Sequence, residues 1–295
     1  MVTTERKKII QPLISVVVPI HQMSKKLSNL KSWVTDSPLC VEIILLHDDH
    51  DFDDATNAEI EKIVDVTENS IMFRKHWGNP GDVRNFGKDI ARGAWIIFAD
   101  SDDYLHINEV VSCVRKLDEA RDDIVIGQFE FIKDRSRRLE KTKVKEDVIK
   151  TLGNWRIVYK KTLIMNITFP PLRMGEDQVF FCKALDLDPQ IKICDRTLYS
   201  YHTAVSGQLT SKRLYDDMSK AISIIEDIFL ASKSNKRIIK GILINQSISM
   251  FFNQPTLQNA HKLSNVVFIE LNLMPYSILI LTKLLIHIVK RKVVM

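Results

Sequence analysis

The sequence predicts an α/β protein built on a doubly wound, mostly parallel sheet, with a helical region following it. Three observations carry this expectation. Leu13–Val18, Val41–Leu46 and Ala94–Ala99 are short, almost wholly apolar runs, the pattern of strands buried on both faces of a parallel sheet. Two of them stop abruptly in carboxylates, at His47-Asp48-Asp49-His50-Asp51 and at Asp100-Ser101-Asp102-Asp103. Segments of helical periodicity lie between them with short connections, giving the order β-α-β-α-β.

In chain order, Met1–Pro12 is a charged tail and Leu13–Pro19 the first strand, closed by a proline that cannot continue a ladder. His21–Lys26 is a polar loop and Leu27–Val34 a helix. Val41–Leu46 is the second strand, Ala55–Val66 a helix and Ser70–Lys75 the third strand. Gly78-Asn79-Pro80-Gly81 is a turn by composition. Asp82–Arg92 is helical, with Gly93 in the C-cap place, and the central strand Ala94–Ala99 follows. Ile107–Arg121 is helical and Asp123–Ile132 strand-like. Lys133–Lys145 is a strongly charged run that reads as a solvated hairpin tip or loop rather than a nucleic-acid patch, since acids interrupt its basic residues and no aromatic interleaves them. Arg156–Tyr159 is a short strand, Pro170-Pro171 a break, and Gly175-Glu176-Asp177 opens a helix whose dipole favours carboxylates in its first turn. Ile191–Cys194 and Thr197–His202 are two more short strands, and Ser206–Arg213 is a loop rich in donors.

Residues 13–213 form the expected catalytic-type domain, and 214–295 a helical region. Leu214–Leu230 and Lys236–Phe252 are amphipathic helices, interrupted at Asn235 and Pro255. Tyr276–Val289 is dense in Ile and Leu but too short to span a bilayer. With Lys283, His287 and Lys290 on one stripe it reads either as a helix in an anionic membrane interface, or as one packed on its own domain or on a twin subunit in a homodimer.

At 295 residues, 45% hydrophobic and 27% charged, the chain can bury a large core and is not disordered. A net charge of +5 suits anionic ligands. Cys40, Cys113, Cys182 and Cys194 show no paired spacing, so free thiols in a reducing compartment are expected. Met1–Gln11 has no apolar core of a signal peptide, which predicts a cytoplasmic protein.

No glycine-rich phosphate loop follows the first strand and no Gly-x-Ser-x-Gly elbow occurs, which argues against dinucleotide enzymes and serine hydrolases. What remains is acidic clusters at two strand ends plus Glu176-Asp177. Like charges raise one another's pKa unless a cation offsets them, so a hard divalent ion, Mg2+ or Mn2+, on phosphate oxygens explains Asp100–Asp103. The competing reading makes Asp102 or Asp103 an N-cap for the next helix.

Taken together, these motifs resemble those of family 2 inverting glycosyltransferases of the GT-A fold, the bacterial group that builds surface polysaccharides. The resemblance is carried by Ser15-Val16-Val17-Val18-Pro19, by Glu42–Asp48, by Arg84-Asn85-Phe86-Gly87 with Ala91-Arg92-Gly93, by Phe98-Ala99-Asp100-Ser101-Asp102-Asp103, and by Gly175-Glu176-Asp177-Gln178-Val179-Phe180. It covers residues 13 to 210. It implies a nucleotide-sugar donor, UDP-linked by family habit, and a glycan or lipid-linked acceptor. By the same resemblance Asp48, with Pro19 and His21, binds the base, and Asp100 and Ser101 lie near the ribose. Asp102 coordinates the divalent metal, with His202 a weaker candidate ligand, and Arg84 and Lys212 face the diphosphate or sugar, Ser206 lying nearby. Asp177 is the general base, with Glu176 beside it orienting or substituting. His47 departs from the family's aspartate, Asp49-His50 from its Gly-Ser, and His21-Gln22 from its aromatic-asparagine pair. His47-x-x-His50 lacks the further ligands a zinc site needs and reads as a polar loop. Two alternatives stay open: a sugar-phosphate nucleotidyltransferase, and an inactive nucleotide-sugar-binding relative.

Overall fold

The structure is a computed structural model describing residues 11–21, 27–49, 53–133, 136–203 and 214–254, with Thr256, Asn259, Lys262, Leu263 and Val266. One twisted sheet organises it, in the strand order β3-β2-β1-β4-β8-β6-β9-β5, with β7 paired to β6. β1 (Ile14–Ile20), β2 (Val41–Asp48), β3 (Ser70–Lys75) and β4 (Trp95–Phe98) are the parallel half. The other half is mixed. β8 (Ile157–Lys160) runs antiparallel to β4 and to β6 (Ile124–Lys133), while β9 (Ile191–His202) runs parallel to β6. β5 (Tyr104–Leu105) closes the far edge antiparallel to β9. The unbroken parallel run therefore ends at β4, and beyond it β6 with β9 is the one parallel pair among antiparallel ones in the described residues.

The apolar runs are strands because both sides are covered. Val17, Ile44, Leu46, Ile96 and Phe98 face one hydrophobic cluster; Val16, Val18, Ile43, Leu45 and Ile97 face the other. This is the period-2 alternation of a pleated strand with two buried faces. α1 (Ser28–Thr35), α2 (Asp54–Asp65) and α4 (Ile107–Val114) cover the second face. α3 (Pro80–Ile90) and α6 (Glu176–Asp186) cover the first, together with α7 (Tyr215–Ala231) and α8 (Lys236–Asn253). Ile239, Ile242 and Leu243 of α8 are fully buried in that cluster. At roughly 1.5–3 kcal/mol for each such side chain, α8 is held by the sheet's own core and not as a separate unit. A short α5 (Lys161–Ile164) follows β8.

Several local expectations change. α4 ends at Val114 rather than Arg121, because Asp118 turns the chain, its carboxylate accepting from the Ala120 N–H at 3.0 Å. The two strands expected over 191–202 are one, β9, carrying a bulge opposite Ile126–Phe129. Gly93 is not the C-cap of α3, which is Ala91; a Cβ at Gly93 would stand 2.5 Å from the Ser15 nitrogen, so glycine is required by close approach to β1. The residue before α4 is His106, with no side-chain cap, so Asp102 and Asp103 do not cap that helix. The first part of Lys133–Lys145 belongs to a hairpin, β6 with β7 (Ser136–Glu140), and residues 141–144 lead from it into a 3-10 turn over Lys145–Lys150.

The cysteine expectation is also corrected. Cys113 on α4 and Cys194 on β9 form a disulfide across 81 residues, with Cα atoms 6.4 Å apart; Cys40 and Cys182 are free. Spacing along the chain gave no hint, because the pair exists only where α4 packs on β9. Among the described residues no helix is long and apolar enough to cross a membrane. Tyr276–Val289 lies outside the described residues.

Candidate active site

Parallel register sets the rim. Ile20 stands opposite His47, and Val17 opposite both Ile44 and Phe98, so β1, β2 and β4 all deliver their C-terminal ends to one edge, where ligands of such sheets bind. At the end of β2 the Asp48 Oδ1 accepts the N–H of Trp77 at 2.8 Å and of Gly78 at 3.4 Å. His21, just past β1, donates through Nδ1 to the Asp48 carbonyl oxygen at 3.1 Å, and Pro19 is paired with Leu46 alongside. Pro19, His21 and Asp48 are thus brought together. His47 points into the interior, fully buried, and burial lowers its pKa. The departure from aspartate is absorbed by the core and does not change the rim.

Beyond β4 the acidic segment is held from three directions. The Asp100 N–H donates to the Tyr199 hydroxyl at 3.0 Å, and that hydroxyl donates to Asp103 Oδ2 at 2.9 Å. Asp103 Oδ1 accepts the His202 backbone N–H at 2.6 Å, with the imidazole Nδ1 3.6 Å away. Asn29 on α1 donates to the Asp102 carbonyl at 3.2 Å. Ser101 is buried within this turn. Burial, with the charges of Asp100 and Asp102 adding to it, pushes Asp103 up to about 7, against the His202 hydrogen bond. That same contact raises the His202 pKa and favours its imidazolium form.

Arg84 on α3 connects this segment to the second acidic pair. Its Nη2 lies 3.0 Å from Asp100 Oδ1 and its Nη1 2.6 Å from Glu176 Oε1, in the first turn of α6. Both carboxylates hold its pKa above the ordinary arginine value in spite of burial. Arg84, expected at the diphosphate or the sugar, here stands in a double ion pair between protein carboxylates. Its neighbour Asn85 clamps the loop that enters α6, donating to the Phe169 carbonyl at 2.9 Å and accepting the Phe169 N–H at 2.8 Å. Gly175 has φ +85°, the left-handed conformation glycine adopts most freely, and it releases the chain into α6.

Asp177 follows Glu176 and remains partly accessible. Its Oδ1 accepts the Gln178 N–H at 2.9 Å. Phe98, Phe169 and Phe180 pack together nearby, the last two stacked 3.8 Å apart. Burial first and the Glu176 charge second push the Asp177 carboxyl up to about 7. Glu176 is also raised by burial, opposed by Arg84. A charge-assisted contact of 2.6 Å keeps the negative charge on Glu176, which leaves Asp177 as the carboxyl poised near neutrality.

Among the described residues no three His, Cys, Asp or Glu side chains converge into a ready-made metal cage. A Mg2+ or Mn2+ ion that takes one or two carboxylates and completes its shell with substrate phosphates and water needs none. The donor set at Asp100–Asp103 is hard oxygen, and the crowding of its charges, which adds to burial in raising Asp103, is relieved by a cation. These residues fit such an ion. His50, Ser206 and Lys212 lie outside the described residues. Tyr199 and Asn29 were not anticipated, and Asn85 appeared only as part of the Arg84-Asn85-Phe86-Gly87 motif, without a role; the partners of the three are 73 to 99 residues away.

Residues 15–181 match the family model described as glycosyl transferase family 2. The chain belongs to that family. Among similar proteins, the poly(ribitol-phosphate) beta-N-acetylglucosaminyltransferase TarS of Staphylococcus aureus (strain MW2) is 26% identical over 213 residues, covering 66% of this chain and 36% of that protein. The poly(ribitol-phosphate) beta-glucosyltransferase of Bacillus spizizenii is 26% identical over 238 residues, covering 75% of this chain and 37% of the relative. This family 2 chain therefore spans little more than a third of those two relatives. Glycosyltransferase GlyG of Streptococcus pneumoniae serotype 4 is 23% identical, with 82% and 86% covered. The crystal structure of S. aureus TarS 1–349 with UDP-GlcNAc superposes with a TM-score of 0.69 at 22% identity, covering 86% of this chain and 79% of that one. The fold is GT-A. A Pyrobaculum calidifontis mannosyltransferase with GDP-Man and Mn2+ shares it at 13% identity, a TM-score of 0.60, and 95% and 81% coverage.

Proposed function

We propose that this family 2 protein transfers a sugar from a nucleotide-sugar donor, UDP-linked, to a hydroxyl of a surface-polysaccharide acceptor, with inversion at the anomeric carbon. One observation carries the reading: a single guanidinium, Arg84, pairs with Asp100 at the end of β4 and with Glu176 beside Asp177. One side chain thereby links the acids at the end of β4 to the first turn of α6, where the poised carboxyl sits. The TarS complex with UDP-GlcNAc supports UDP as the donor nucleotide. The poly(ribitol-phosphate) relatives support a polyol-phosphate or related glycan acceptor.

In this reading Asp48, with Pro19 and His21, receives the base, and Asp100 and Ser101 lie at the ribose. Lys212 is assigned to the diphosphate on the family resemblance alone. The acceptor hydroxyl attacks the anomeric carbon in line, the new C–O bond forms as the bond to the diphosphate breaks, and the proton passes to the Asp177 carboxylate. A carboxyl near 7 suits that task, because it is substantially ionised at neutral pH and still basic enough to accept a proton. Glu176, charged and fixed by Arg84, keeps Asp177 from sharing that guanidinium. Arg84 acts as a positioning residue. Asp102 would hold the divalent ion, which supplies charge neutralisation of the departing diphosphate when bound, and His202, drawn toward its imidazolium form by Asp103, could join it only as the neutral imidazole. We place the protein in the cytoplasm, and on its sequence alone assign Tyr276–Val289 to an anionic membrane surface or to packing on its own domain or a twin subunit.

Calorimetric titration with UDP, with and without Mn2+, tests the donor site. Wild-type protein should bind more tightly with Mn2+, and Asp102→Ala should lose that gain. Equal affinity with and without the ion would remove the metal role, and absence of UDP binding would remove the donor assignment.

A further inference from the structure

We infer that the β6–β7 hairpin is the docking track for a phosphate-bearing, polyanionic acceptor chain that it leads to the acidic rim. The inference rests on the transferase reading for what happens at the rim, and on the hairpin itself for what is bound. Residues 133–145 hold seven Lys or Arg against two acids, a net +5 that equals the formal charge of all 295 residues. The remainder of the chain is neutral on balance, so the basic character is concentrated here.

Most of that charge is exposed, although Arg138 is paired with Glu140 at 3.0 Å. Arg137 and Arg138 are 74% and 71% exposed. Arg137 stands 3.8 Å from Glu130, a long contact for an ion pair. Lys133, Lys141 and Lys143 are exposed and carry no ion pair among the described residues. An excess of five positive charges within thirteen residues raises the local concentration of an anionic partner.

Sheet register connects the patch to the site. Arg137 is paired with Ile132, and Ile132 with His202. Directly paired residues across a sheet share a face, so Arg137, Ile132 and His202 form one cross-strand row. Two strand spacings, about 10 Å in all, separate its ends. His202 is the residue whose backbone N–H holds Asp103. The paired row on the opposite face is Arg138, Phe131 and Tyr201, with the Arg138 guanidinium 4.8 Å over the Phe131 ring. The hairpin is a continuation of the strands that build the rim, and a chain lying along it arrives at the acids. Repulsion from Asp100, Asp102 and Asp103 would turn away such a polyanion without a basic approach.

The test uses the full chain and a fluorescently labelled polyol-phosphate oligomer, followed by anisotropy. Neutral dextran of matched length and phosphatidylglycerol vesicles are the comparison arms, and UDP binding is measured separately. Wild-type protein should bind the oligomer with an affinity that falls steeply with salt. Neutralising Lys133→Gln, Arg137→Gln and Lys141→Gln together should weaken binding about tenfold or more at low salt. The gap should close at high salt, with UDP affinity unchanged. The charge-keeping set Lys133→Arg, Arg137→Lys and Lys141→Arg should retain binding. Equal affinity of the neutralised and wild-type proteins would overturn the inference, as would wild-type binding to dextran as tight as to the oligomer. Binding to vesicles but not to the oligomer would also overturn it, assigning the patch to a lipid surface. Failure to bind UDP with oligomer binding intact would count against the transferase reading and leave the docking surface standing.

Discussion

Replacing Asp177 by Asn should do two opposite things, and the structure sets the size of each. The wild-type carboxyl is pushed from an ordinary 3.8 to about 7, by burial and by Glu176. A raised folded-state pKa means that the folded protein favours the protonated acid. Below about pH 4, with Asp177 protonated in both states, it imposes no ionisation penalty. Between about 4 and 7 the unfolded chain ionises while the folded site resists, and stability falls as pH rises; above about 7 the whole penalty is present. At 1.36 kcal/mol per pH unit the span corresponds to about 4 kcal/mol as an upper figure. The amide is isosteric and keeps an oxygen for the Gln178 N–H. Asp177→Asn should therefore be more stable than wild type by about 1–4 kcal/mol at pH 8, with the difference vanishing near pH 4. Urea unfolding of both proteins at pH 4, 6 and 8 reads this directly. The same substitution should lower sugar transfer by 10²-fold or more, in the range for loss of a general base, with UDP affinity retained. Wild-type transfer should rise with pH through about 7. A stability difference that does not grow between pH 4 and pH 8 would refute the electrostatic account of the site, and loss of UDP binding in the variant would refute the base role.

Arg84→Met should destabilise by about 3–5 kcal/mol, since it strands Glu176 as a buried, unpaired carboxylate, while Arg84→Met combined with Glu176→Gln should recover most of that loss; denaturant midpoints decide, and equal stability of the two variants would oppose the pairing. Arg84→Lys should not rescue transfer, because an ammonium cannot bridge Asp100 and Glu176 as the planar fork does. Thiol titration of the unfolded, unreduced chain should count two reactive cysteines, Cys40 and Cys182, and four after reduction. Four before reduction would show that the Cys113–Cys194 bond does not form.

Much of the architecture was legible from residue pattern. β1, β2 and β4 are runs whose neighbours leave them no solvent face, so local hydrophobicity alone defines them. α7 and α8 were visible because amphipathic periodicity and Asn235 mark their limits. The end of α4, the merging of two short strands into β9, and the function of Gly93 were not visible. Each depends on a contact remote in sequence: Asp118 turning the chain, β6 accepting a bulged partner, and Ser15 occupying the space a Cβ would need. The parallel expectation was right up to β4 and did not extend to the antiparallel pairs beyond it.

The candidate site divides the same way. Ordered motifs named Asp48, Asp100, Asp102, Glu176 and Asp177, because a carboxylate at a strand end or in a first helical turn is a local feature. Arg84 was named too, but its role was not: whether a guanidinium meets a phosphate or two carboxylates depends on which side chains the fold leaves within 3 Å of it. Tyr199, bonded to both Asp100 and Asp103, could not be found at all from a strand pattern. Composition and periodicity determined the sheet, the helices and the kinds of group at the rim, since those follow from burial of neighbouring residues. Only tertiary structure decided which charges pair, which cysteines meet and which carboxyl is held near neutrality, because electrostatics acts over a few ångströms in space and takes no account of separation along the chain.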